Sequence, residues 1–323
     1  MERTDRTMKM NTLGSTGLIV SELCIGTLPM GPLQSNIDVD KGAEILLEAM
    51  ENGVNFFDTA QMYRTYPYLQ KACKQYGKEV IIASKCAACD YKSMEDAIVE
   101  AMRELNRDHI DIFHVHAARA DGSVFEKRAG AIEALLKAKE KGYVRFTGIS
   151  AHNPALVALA AGAEEFDLVF PLINKIGLGI LAGTLEDMLA SIELVHSRGK
   201  AMYAMKALAG GHLAGDMPDA VNYVRSIPGI DAVSIGVVTL EELSLQLKIF
   251  NDEKIDPAIL AKTKAQKQLK ILPNLCSSCG TCIKYCPNGA LSFEGKLPAP
   301  DPKKCVFCGY CTPVCPEFAI RVK

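Results

Sequence analysis

The chain carries almost no net charge: 36 Lys and Arg stand against 38 Asp and Glu, a formal charge of -2. Such a balance offers no overall attraction to nucleic acid or to an anionic membrane, so neither is expected as a partner. Long apolar runs are also missing. None approaches the roughly 18 to 20 residues that cross a bilayer, and the opening MERTDRTMKMNTLG has charges but no apolar h-region behind them. A soluble, cytoplasmic protein is expected. What the chain does have is bulk: 49% of its 323 residues are apolar and 23% charged, which suits a large buried core and excludes a disordered or fibrous chain. One large domain with an appendage, or two ordinary domains, fit this length.

Cysteine is abundant and unevenly placed. Eight of the twelve lie after Leu272, in two runs: Cys276, Cys279, Cys282, Cys286 before Pro287, and Cys305, Cys308, Cys311, Cys315 before Pro316. Both read C-x2-C-x2-C-x3-C-P, and a shift of 29 positions lays one on the other, with Ala290 on Ala319 and Leu291 on Ile320. The segment is an internal repeat, each half expected as a small hairpin-and-helix unit. A disulfide framework does not suit a chain without a signal peptide, and zinc sites usually take ligands in two separated pairs. The spacing resembles a bacterial ferredoxin with two [4Fe-4S] clusters, where the close thiolates of one loop bind a cubane whose last ligand comes from the other half. On that resemblance Cys276, Cys279, Cys282 and Cys315 hold one cluster, and Cys305, Cys308, Cys311 and Cys286 the other. The expected layout is a first unit over 1–255, a linker over 256–271 and a small α+β ferredoxin-like domain over 272–323.

The first unit has a different texture. Apolar strand-like runs bounded by turns alternate with amphipathic windows, the βαβα pattern of a parallel sheet covered by helices. Eight strands are expected, at 23–28, 55–60, 80–85, 110–116, 144–150, 166–174, 200–207 and 232–237. Helical windows include 40–52, 94–105, 129–141, 185–197 and 240–250. This repeat matches a (β/α)8 TIM barrel, an α/β fold whose functional residues sit at the C-terminal ends of strands. A doubly wound open sheet is the alternative, but no G-x-G-x-x-G follows the first strand.

Three neighbouring strands end in reactive side chains, at Asp58, Lys85 and His116. Strand alternation puts Phe56 with Asp58, Ala83 with Lys85 and His114 with His116, so one choice of face turns all three polar ends inward. Tyr63 follows in the loop after Asp58. The segments GVNFFDTAQMY, ASK and DIFHVH resemble the aldo-keto reductases. That resemblance implies a catalytic tetrad of Asp58, Tyr63, Lys85 and His116. The chemistry is coherent: an adjacent ammonium lowers a phenol pKa from about 10, a buried lysine needs a counter-charge, and an imidazole can orient a carbonyl oxygen. Singly, Asp58 reads as a helix cap, Lys85 as a surface cation and Tyr63 as a loop aromatic; their joint position is what points to a site.

For the cofactor, the resemblance implies NAD(P)H, with Gly26 and Thr27 near the nicotinamide. Gly148-Ile149-Ser150 matches the family's strand ending in Ser-Asn, with Ala151 in place of the Asn. The loop after the seventh strand holds Lys206, Gly210 and Gly211; the glycines let backbone N–H groups approach a pyrophosphate. Lys206 stands where many members have a small hydroxyl, and reads either as a phosphate or carboxylate ligand or as an ion-pair partner at the barrel mouth. Gly236 opens the segment after the eighth strand, which lacks basic residues for a 2'-phosphate but offers Glu241 and Glu242 to a ribose hydroxyl. NAD is therefore expected over NADP, with a flavin at the barrel mouth as the alternative.

Cys86 and Cys89 form a CxxC beside Lys85, readable as a dithiol relay or, better, as inert thiols. His114 suits barrel packing better than metal binding, and 261–270 reads as an exposed helical tether. Together these features point to an oxidoreductase interconverting a small-molecule carbonyl and an alcohol, coupled to electron transfer through two [4Fe-4S] clusters and an external redox partner. Two alternatives stand beside it: a ferredoxin-dependent reductase using a flavin or the clusters in place of nicotinamide, and a redox-sensing or electron-carrier protein.

Overall fold

The computed structural model describes residues 8–255, 268–317 and 319–322, and in it eight parallel strands close into a barrel. They are Leu23–Gly26, Phe56–Asp58, Ile81–Cys86, Ile110–His116, Val144–Ala151, Leu168–Pro171, Ala201–Met205 and Ala232–Gly236. Each pairs with the next in sequence, and the last returns to the first from Val233↔Leu23 to Gly236↔Gly26. The (β/α)8 architecture expected from the repeat is the one observed.

Helices Val39–Glu51, Tyr91–Leu105, Ala129–Glu140, Leu185–Ser197 and Leu240–Phe250 lie on the amphipathic windows. Three further helices, Tyr66–Tyr76, Pro154–Gly162 and Met217–Arg225, were not among those windows. All three carry a proline in the first turn, where the missing N–H has no intrahelical partner to lose.

Alternation along the strands separates two cores. Cys24, Phe56, Ala83, Ile112 and Tyr203 fill the barrel, while Ile25, Phe57, Ile82, Phe113 and Val115 face the helices. An N-terminal hairpin, Met10–Thr12 with Ile19–Ser21, adds Leu13, Leu18 and Val20 to the inner core and closes one end. At Gly14 a Cβ would lie 2.4 Å from the Ala201 Cα, so the plug seats only with glycine there. The mouth at the opposite end, where the strands finish, is left for chemistry.

The C-terminal module has two small antiparallel pairs, Leu269–Ile271 with Ile320–Val322 and Leu291–Glu294 with Leu297–Pro300. Its sequence repeat is also a backbone repeat. Ser278 and Phe307 have φ of 57° and 46°, and Gly280 and Gly309 have 72° and 78°. In each half the last thiol accepts a 3.3 Å hydrogen bond from the backbone N–H four residues on, Ala290 to Cys286 and Ala319 to Cys315. Most of the tether expected at 261–270 lies outside the described residues, and its end is extended, not helical: Leu269 and Lys270 belong to a module strand.

Candidate active site

The three polar strand ends meet at the barrel mouth. Lys85 Nζ donates to both Asp58 oxygens, at 2.7 and 2.6 Å, and to the Thr59 carbonyl at 2.8 Å. Both charged side chains are buried. Burial lowers the Lys85 pKa and raises that of Asp58, and their mutual attraction opposes both shifts. Tyr203 steadies the pair from below, donating to Asp58 Oδ1 at 3.1 Å and sharing a 2.8 Å bond with His114 Nε2. His114 is thus part of the barrel filling, and Gly148 makes room for it: a Cβ there would sit 2.3 Å from His114 Nδ1.

Tyr63 ends a short helical turn, Gln61–Tyr63, just after the second barrel strand. The Lys85 ammonium lies 5.0 Å from its ring centre, and the His116 ring meets it edge-on at 6.1 Å. Burial holds the Tyr63 pKa well above its ordinary value, with Tyr310 and Asp58 pushing the same way. This corrects the expectation of a lowered phenol: Lys85 is engaged by Asp58 and Thr59, and desolvation sets the direction. Burial, followed by Lys85, holds His116 well below the usual imidazole range, so it is neutral. Its Nδ1 is buried without a partner, and its Nε2 lies 3.3 Å from the Tyr310 hydroxyl.

Tyr310 belongs to the C-terminal module, between Cys308 and Cys311, and no sequence signal marks it as a site residue. It is buried, it packs in one apolar cluster with Tyr63, and the Arg119 guanidinium lies 4.9 Å over its ring. The module is interlocked with the barrel around it. A Cβ on Gly309 would fall 2.2 Å from the Leu33 carbonyl oxygen, and one on Gly210 would fall 2.0 Å from that of Val306. His212 Nε2 bonds the Cys305 carbonyl at 2.6 Å while its ring stacks on Phe307 at 5.1 Å.

Beside Tyr63 and Asp58 opens a cavity also lined by Gly26, Lys206, Gly210, Gly211 and Gly236. Thr27 and Ser150 do not line it. The Thr27 hydroxyl is bonded to Thr65 at 2.7 Å, and Ser150 Oγ is buried without a partner.

The description Aldo/keto reductase family matches residues 22–261, and 4Fe-4S dicluster domain matches 275–319. The chain belongs to the aldo-keto reductase family. It is an oxidoreductase with a C-terminal iron–sulfur domain. It is 27% identical to the L-galactose dehydrogenase of Arabidopsis thaliana over 266 residues, covering 76% of this chain and 82% of that protein. It is 22% identical to the uncharacterized oxidoreductase YqkF of Bacillus subtilis, covering 77% of this chain and 93% of the relative. Among solved structures, an aldo-keto reductase from Bacillus halodurans in its holo form shares the fold at TM-score 0.63 and 19% identity, over 79% of this chain and 96% of that one. Among the described residues, no helix is long and apolar enough to cross a membrane.

This aldo-keto reductase has residues that fit both kinds of cofactor. Gln246 lines the large cavity with its Oε1 buried and unpartnered, an acceptor left for a ligand. Glu242 is less free than expected: its Oε2 accepts from the Val238 N–H at 2.7 Å, capping its own helix. Gly210 also reads differently, since the close neighbour that its missing Cβ accommodates is the module's own backbone. The cluster thiols ring two separate cavities. Cys286, Cys305, Cys308 and Cys311 line one, and Cys276, Cys279, Cys282 and Cys315 line the other. This is the crossed grouping that the ferredoxin resemblance implies, and all eight thiols are free of disulfides. Cys86 and Cys89 are not joined: the first is buried against Met94 and the second is exposed.

Proposed function

We propose that this aldo-keto reductase interconverts a small-molecule carbonyl and an alcohol at Tyr63, and that its clusters exchange electrons with the same site. The observation that carries the reading is a buried phenol on the cavity wall, beside a buried Asp58–Lys85 pair and the His116 ring. In the reducing direction, Tyr63 gives its proton to the carbonyl oxygen as negative charge develops there. Its high resting pKa keeps that proton in place until then. Lys85, 5.0 Å from the ring, stabilises the phenolate left behind, and Asp58 keeps Lys85 charged in a site that would otherwise neutralise it. His116 orients the substrate oxygen through Nε2, the nitrogen that meets Tyr310.

A nicotinamide nucleotide in the large cavity would supply hydride, held by the Gly26, Gly236 and Gln246 walls. NAD suits the segment after Gly236 better than NADP, because no basic side chain follows there. The eight module cysteines hold the two [4Fe-4S] clusters, which move single electrons to or from an external carrier. The test is NADH oxidation by the anaerobic full-length protein with a panel of small aldehydes and ketones. A Tyr63→Phe variant should lose turnover, and wild-type turnover in that variant would overturn the reading. A second reading, with a flavin or the clusters in place of nicotinamide, draws support from Phe307, which brings the module to the cavity wall. A visible spectrum and cofactor extraction distinguish the two.

A further inference from the structure

The two cluster cavities relate differently to the barrel. Phe307 lines both the cavity ringed by Cys286, Cys305, Cys308 and Cys311 and the large cavity beside Tyr63, so the two cavities share a wall residue. Cys308 packs into the same apolar cluster as Tyr63 and Tyr310. Tyr310, adjacent to Cys311, reaches His116 at 3.3 Å. The glycine contacts at Leu33 and Val306 fix this loop against the barrel on both sides. The other four thiols have no such neighbours: no residue lining their cavity also faces the barrel site, and Cys279 is exposed.

Lys206 lines the large cavity on the module's side. It shares that wall with Phe307, which also lines the cavity ringed by Cys286, Cys305, Cys308 and Cys311. A cluster gains negative charge on reduction, so a cation on this shared wall favours its reduced form.

We propose, resting on the electron-exchange reading above, that the cluster held by Cys286, Cys305, Cys308 and Cys311 is the inner one. It exchanges electrons with the barrel site across Phe307 and Tyr310, with Lys206 as its counter-charge. The cluster held by Cys276, Cys279, Cys282 and Cys315 is the outer one and faces a one-electron carrier in solution. Each transfer oxidises the outer cluster by one electron and reduces the inner by one, with no bond made or broken, and the carrier reduces the outer cluster again. Two such electrons, with one proton, are what would return an oxidised nicotinamide in the barrel site to the form that gives hydride to the carbonyl, so the inner cluster is oxidised again by the barrel site.

The test is an EPR-monitored potentiometric titration of the anaerobic full-length holoprotein, with and without dysprosium-EDTA as a relaxing agent in solution. One cluster signal should be strongly relaxed by dysprosium and the other little affected. Lys206→Met should lower the midpoint potential of the unrelaxed cluster alone, and Lys206→Arg should restore it. Equal relaxation of both signals overturns the order, and the dysprosium comparison needs no variant. A Lys206→Met shift confined to the relaxed cluster, or no shift in either, overturns the role of Lys206. None of these readouts uses turnover, so failure here is distinct from failure of the tetrad reading, which Tyr63→Phe tests.

Discussion

Tyr63 keeps its proton because it is buried, and it is buried partly by a residue that arrives from the far end of the chain. Replacing Tyr63 by Phe keeps the ring and removes one hydroxyl, so turnover should fall by about two orders of magnitude in steady-state assays. Stability should change by about 1 kcal/mol at most, the net worth of the one hydroxyl removed. Asp58→Asn should behave differently. It leaves Lys85 buried without its counter-charge, and a loss of about 3 to 5 kcal/mol is expected in urea unfolding. Asp58, Lys85 and His116 were legible in the sequence because a period of two puts strand-end side chains on one face. Tyr310 was not, because its contact with His116 spans 194 residues and nothing local to a cluster loop announces it. The direction of the Tyr63 shift was misjudged for a related reason: sequence names the neighbours of a group but not how much water they exclude.

Among the elements, the eight strands and five of the outer helices follow from periodicity, since each buries one face. The three helices that begin with proline escaped, because proline reads first as a breaker and only the fold shows it in a first turn. The contact between module and barrel escaped too, being made of backbone at glycines. Gly210→Ala should separate the Cys305–Cys311 loop from the barrel, since its Cβ has no room beside Val306 and its φ is 72°. Hydrogen exchange in that loop should rise while iron content per chain stays near wild type, because Gly210 lies outside the cysteine runs. Unchanged protection would mean the contact is not what holds the loop.

The molecule as a whole is two cores and one seam. Neither barrel core contains a residue of the module, so a fragment ending at 255 should fold without iron, with far-UV circular dichroism of an α/β protein. That fragment allows an acid test free of cluster loss. Burial inside the barrel lowers the pKa of His114 well below the imidazole range and that of His152 to about 3. Below the unfolded value near 6.5, the unfolded chain takes up protons that the folded one refuses, so stability falls as pH falls. Each histidine contributes about 1.4 kcal/mol per pH unit well below that value. The urea midpoint should drop between pH 7 and pH 5, and His152→Gln should make the drop shallower by about half, one histidine in two.

Tyr310 lies in a loop between cysteines proposed to hold a cluster, and such loops fold around their metal. The ceiling of the reaction chamber would then be made after the barrel beneath it and would wait on cofactor delivery. A barrel in an iron-starved cell would stand finished but uncovered, with Tyr63 and His116 open to water. Catalytic competence would then follow maturation rather than translation, and the loop proposed to carry electrons would also certify that the barrel mouth has been covered.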